Sequence, residues 1–79
     1  MKILQTDCNY NSEYFRNSGI SKALGGDYKG AIKDFDKALK IDCKDLGSLI
    51  GRGYAKDQLG YKEKAKEDFS KAGEIGLKL

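Results

Sequence analysis

Gly26-Asp27-Tyr28-Lys29-Gly30-Ala31-Ile32-Lys33-Asp34-Phe35-Asp36-Lys37-Ala38-Leu39-Lys40-Ile41 is the stretch on which the fold turns. Its apolar residues, Tyr28, Ala31, Ile32, Phe35, Ala38, Leu39 and Ile41, recur in steps of three and four and so form one stripe along a helix. Asp27 stands just before that stripe and just after Gly25-Gly26. This arrangement predicts an N-cap at Asp27 and a glycine stop for the preceding helix. Upstream, residues 12–24 read as that preceding helix, with Phe15, Gly19, Ile20, Ala23 and Leu24 inward and Ser12 as a candidate cap.

The same plan recurs downstream. Laying residues 12–45 over 46–79, a lag of 34, gives ten ungapped identities: Gly19/Gly53, Lys22/Lys56, Gly26/Gly60, Ala31/Ala65, Asp34/Asp68, Phe35/Phe69, Lys37/Lys71, Ala38/Ala72, Ile41/Ile75 and Lys44/Lys78. Composition alone gives roughly three. The matched residues are small or aromatic where close packing needs them, which makes the chain a tandem array of 34-residue units. The spacing predicts helices near 12–25, 27–41, 46–59 and 61–74: an all-α fold of two antiparallel helix-turn-helix hairpins. Residues 12–45 form the first unit and 46–79 the second; residues 1–11 are an arm, strand-like or the stump of a preceding helix. Gly19 and Gly53 fall mid-helix, where Gly costs roughly 1 kcal/mol relative to Ala, so a close helix approach must compensate. Ala31 and Ala65 are expected across the hairpin from them, with Phe35 and Phe69 between one hairpin and the next.

The order aromatic or Leu, Gly, turn Gly, Ala, Phe, Ala resembles the tetratricopeptide repeat. The first copy is Phe15, Gly19, Gly26, Tyr28, Ala31, Phe35 and Ala38; the second is Leu49, Gly53, Gly60, Ala65, Phe69 and Ala72. The run from Gly26 to Phe35 is especially similar to bacterial members. Two positions depart from the family pattern. Cys43 stands where a proline often follows the second helix, which is expected to loosen the turn between units. Lys22 and Lys56 stand where an aromatic often follows the first Gly, leaving a packing deficit for a lysine stem to cover.

The resemblance implies an α-solenoid whose inner face, built from the first helix of each hairpin, receives a peptide or helix of a partner protein. By position the groove residues are Glu13, Arg16, Asn17, Ile20 and Leu24, with Gly47, Ile50, Tyr54, Asp57 and Gln58. Family members that grip a chaperone C-terminal carboxylate pair a base with an Asn one turn later; here Arg16 is followed by Ile20, and Gly51 stands at the next repeat's Asn position. That clamp is broken. What remains is an apolar centre of Ile20, Ile50 and Tyr54, flanked by Arg16 and Asp57, with Tyr54 and Arg16 as the expected hot spot. The alternative is that Ile20 and Ile50 pack against neighbouring helices.

Composition excludes other classes. Seventy-nine residues leave room for one small domain, and 15 Lys and Arg against 12 Asp and Glu give a net +3 spread over both halves. With no His there is no common general base or metal ligand, and Cys8 and Cys43 form no CxxC pair, so neither an enzyme, a metal centre nor a cofactor is expected. The thiols are expected to be free, the chain cytoplasmic, and no segment is apolar enough for a signal or a membrane span. Lys29, Lys33, Lys37 and Lys40 alternate with Asp34, Asp36 and Asp42, and Lys62 to Lys71 with Glu63, Glu67 and Asp68. These runs read as solvated faces, not as a nucleic-acid stripe.

Two units bury only part of each stripe, and a core of about 70 residues rarely supplies more than about 3–5 kcal/mol. Repeat arrays usually want about three units and a cap. The last helix is therefore expected to leave Phe69, Ala72 and Ile75 uncovered, favouring self-association as a homodimer. A self-assembling repeat with no dedicated ligand, or a weak RNA binder, are the competing readings.

Overall fold

The computed structural model describes the backbone of residues 2–77 and the side chains of residues 12–77. Four helices follow one another: α1 Lys2–Leu24, α2 Tyr28–Ile41, α3 Leu46–Gln58 and α4 Lys62–Leu77. Each packs antiparallel on its neighbour, and α1 also touches α3, so α1 and α3 make one layer and α2 and α4 the other. The body measures 41 × 29 × 15 Å, a slab two helices thick. The all-α architecture of two hairpins is as the periodicity predicts. The first helix is longer than predicted. It runs unbroken from Lys2 because no glycine or proline interrupts residues 2–18. Ser12 is therefore no cap; it lies buried inside α1, donating to Asp45 Oδ2 at 2.7 Å and to the Ala38 carbonyl at 3.3 Å.

Both hairpin turns close in the same way. Gly26 and Gly60 adopt φ of +91° and +94°, the left-handed conformation that only glycine takes without strain. In each, the glycine N–H returns to the residue three back (Ala23, Asp57), and the next N–H to the residue five back (Lys22, Lys56). These are the two bonds of a Schellman stop. Asp27 caps α2, accepting from Gly30 N at 3.0 Å. The turn between hairpins is not loosened by the lack of proline. Asp42 Oδ1 accepts from Lys44 N at 3.1 Å, and Asp45 caps α3 through Ser48 N at 3.2 Å. Cys43 in this turn is an exposed free thiol; Cys8 lies outside the described side chains.

The glycine compensation comes from Phe35 and not, as the spacing suggested, from Ala31. A Cβ on Gly19 would lie 2.7 Å from the Phe35 ring, and one on Gly51 would fall into the same ring from the other side. Phe35 is completely buried, clamped between α1 of its own hairpin and α3 of the next. Around it pack Ala23, Ala31 and Ala55, with Tyr28 and Ile32 partly buried against the cluster. Phe69 repeats half of this arrangement. A Cβ on Gly53 would lie 2.7 Å from its ring, but the other side of the ring is open and the residue is 42% exposed. Ala72 is buried within its own hairpin, not left over, and Ile75 is half-buried. The edge of α4 beyond Phe69 is also less apolar than that of α2, since Lys62, Lys66 and Gly73 replace Tyr28, Ile32 and Leu39.

Asp34 and Asp68, read as part of solvated charge runs, point inward and are 6% and 5% exposed. Asp34 accepts from Ser18 Oγ at 2.6 Å and pairs with Lys22 Nζ at 3.1 Å. Asp68 pairs with Arg52 at 2.8 Å and Lys56 at 3.2 Å, at the equivalent positions of the second hairpin. The lysines that replace the family's aromatic thus neutralise a buried carboxylate, beyond filling space. Arg52 reaches across to Asp36 at 2.7 Å and joins the two hairpins. Burial pushes both carboxyls up, but the hydrogen bonds and cations outweigh it and hold both below the usual carboxylate range.

Candidate functional site

A groove opens between α1 and α3. Ile20, Ala23 and Leu24 form one wall, Ile50, Gly51 and Tyr54 the other, and the edge of Phe35 the floor; the concavity holds about 260 Å³. Every lining side chain is apolar or aromatic. The local reason is the glycine at 51: without a Cβ, α3 lets the Phe35 ring reach the base of the groove. Ile20, Leu24, Ile50 and Tyr54 remain 39%, 82%, 50% and 45% exposed. Ile20 and Leu24, expected inward, therefore face the groove and not the hairpin interior. Tyr54 is set by Tyr28, whose ring meets it edge to face at 6.0 Å. The adjoining Tyr54 phenol, with burial, raises the Tyr28 pKa above its usual value.

The charged residues expected to flank the groove are engaged within the chain. Arg16 Nη1 donates to both carboxylate oxygens of Asp45, at 3.0 and 3.1 Å, and its stem lies over Gly47, where a Cβ would be 2.6 Å from Cδ. Glu13 is 4.0 Å from the same guanidinium. Asp57 pairs with Lys62 Nζ at 2.8 Å. Asn17 and Gln58 are exposed but do not line the concavity. Asp45 was missed by sequence reasoning: 6% exposed, it collects Ser12, Arg16 and the Ser48 amide and fixes α3 against α1. Its one sequence signal is an Asp directly before a helical stripe, the position of an N-cap. Ala23 and Gly51 were missed as lining residues because they are small and read as packing.

The family model of the tetratricopeptide repeat matches residues 46–75, the span of α3 and most of α4. The second hairpin is a tetratricopeptide repeat. The four helices, packed as adjacent antiparallel pairs with the same turn and the same Gly–Phe contact in both, are consistent with two such repeats. No curated protein and no solved structure matches the chain. A tetratricopeptide repeat is in general a protein–protein interaction module and typically non-catalytic. Among the described residues no group of His, Cys, Asp and Glu is placed to hold a metal ion, and no helix is long and apolar enough to cross a membrane.

Proposed function

We propose that the groove between α1 and α3 binds a segment of a partner protein through one large apolar side chain. The observation that supports this reading is the wholly apolar concavity over Phe35, rimmed by four partly exposed large side chains. Its volume of about 260 Å³ falls under the range of about 300–1,000 Å³ usual for small-molecule sites. A single aromatic side chain, or two aliphatic ones, suits it better than a cofactor. Tyr54 is the residue with most to contribute, an aromatic already oriented by Tyr28 and offering a broad face. Arg16 is tied to Asp45, so its part is to bind α1 to α3 and so fix the width of the groove.

The test uses peptides selected from a random-sequence display library on the immobilised chain. Selected sequences should share one large apolar residue, and Tyr54→Ala should weaken their binding by about 2 kcal/mol. Lys33→Glu, on the opposite layer, should leave it unchanged. Loss of binding in Lys33→Glu with retention in Tyr54→Ala would place the site elsewhere.

A further inference from the structure

The outer layer carries a charge pattern that the groove does not use. On α2, Lys29, Lys33, Lys37 and Lys40 lie along one exposed face; at the lag of 34, the equivalent face of α4 carries Glu63, Glu67, Lys71 and Glu74. Three of four positions reverse sign between hairpins of the same shape. The acids interleaved with the lysines do not cancel them. Asp34 is turned inward to Ser18 and Lys22, and Asp36 is held by Arg52. Among the described residues none of Lys29, Lys33, Lys40, Glu63, Glu67 or Glu74 is in an ion pair. Like charges at i and i+4 in Lys29/Lys33/Lys37 disfavour α2 by a few tenths of a kcal/mol each, a cost that an opposing row of counter-charge removes; on α4 the Glu63/Glu67 repulsion is offset within the helix by Lys66 and Lys71.

We propose that a second copy of this chain is the occupant of this face, the two pairing across a two-fold axis parallel to the helices. That operation sets α2 of each copy over α4 of the other. Because the hairpins are equivalent, residue i falls opposite residue i+34 at the same height: Lys29 over Glu63, Lys33 over Glu67, Lys40 over Glu74. The one like-charged pair is Lys37 with Lys71, and Lys37 is drawn aside over the Phe15 ring at 5.3 Å. A two-fold axis across the helices would set lysines on lysines, so the pattern selects one orientation. A foreign acidic partner would satisfy only the lysine row; a second copy satisfies both. An interface of Lys and Glu is weak, salt-sensitive and set in orientation more than in affinity. Being isologous, it closes at the dimer. The groove lies in the other layer and stays open.

Sedimentation equilibrium at high protein concentration tests this in low salt and in molar NaCl. The wild-type chain should form dimers at low salt and none at molar salt. Lys29→Glu/Lys33→Glu and Glu63→Lys/Glu67→Lys should each weaken dimerisation about tenfold or more, all four positions being exposed and circular dichroism serving to verify the fold. An equimolar mixture of the two variants should restore association, as should the single chain carrying all four substitutions, because each row again meets its opposite. A wild-type chain monomeric at low salt, variants that dimerise like wild type, a mixture no better than its components, or loss on changing the lysines alone would overturn the proposal. The last result would assign the lysine row to a separate acidic partner.

Discussion

Gly51→Ala isolates the contact on which the packing of one hairpin against the next depends. Alanine should by itself favour α3 by about 0.8–1.0 kcal/mol over glycine. Against that, the new methyl group would enter the Phe35 ring, with Cε1 at 2.8 Å and Cε2 at 2.9 Å. The ring cannot step aside, because it is fully buried and Gly19 backs it so closely that a Cβ there would lie 2.7 Å away. Overpacking of this kind costs about 1–3 kcal/mol. Gly73→Ala is the control: it lies in α4 with nothing within contact of its added methyl and should stabilise by up to about 1 kcal/mol. The difference between the two variants, about 1–3 kcal/mol, is the steric term alone, and for a chain of this size each kcal/mol moves the melting temperature by about 4–8 °C. Thermal melts followed by circular dichroism measure it. In a Phe35→Leu background the space opens and the penalty of Gly51→Ala should largely vanish. Equal stabilisation by Gly51→Ala and Gly73→Ala would refute the interlock.

Asp68→Asn should destabilise by about 1–3 kcal/mol, because Arg52 and Lys56, both part-buried, lose their charged partner while Arg52 keeps Asp36; urea unfolding checks this. Asp34 and Asp68 both have folded values below the unfolded carboxylate value of about 3.9. Their contribution is therefore present above the unfolded value and is lost as pH falls through the lowered values, which an acid titration of melting temperature should show, with a smaller acid-induced loss in Asp68→Asn, where one of the two titrating groups is gone. Asp45→Ala should widen or disorder the α1–α3 junction by removing the partner of Ser12 and Arg16, lowering peptide affinity without touching the groove lining. In a Cys8→Ser chain, Cys43 should react with a thiol reagent without unfolding, since it is exposed; a reaction limited by unfolding would contradict its placement.

The lag of 34 made the hairpins legible because glycine at a turn and an alanine-phenylalanine-alanine row are demanded by backbone and packing geometry that repeats. The same alignment concealed what differs between copies. Asp34 and Asp68 were identities, yet a charged residue in a mixed run reads as solvated unless its partners on another helix are known. Ser18 and Lys22, or Arg52 and Lys56, are sixteen or fewer residues away but on the opposite helix of the hairpin. Ile20 and Leu24 were assigned to both the hairpin interior and the groove because helical periodicity fixes which residues share a face and not its rotation. Arg16 looked available for a ligand; only the folded turn before α3 shows Asp45 beneath it. The partner has no signature within the chain, since an apolar concavity specifies size and polarity and no sequence.

Amide chemical-shift mapping of the ¹⁵N-labelled chain, titrated with a display-selected peptide at a salt concentration that keeps it monomeric, tests the groove most directly. The largest shifts should fall on Ile20, Leu24, Ile50, Gly51 and Tyr54, with residues of the outer faces of α2 and α4 unmoved. Shifts centred on Lys29, Lys33, Glu63 and Glu67, with the α1–α3 groove silent, would contradict the groove assignment.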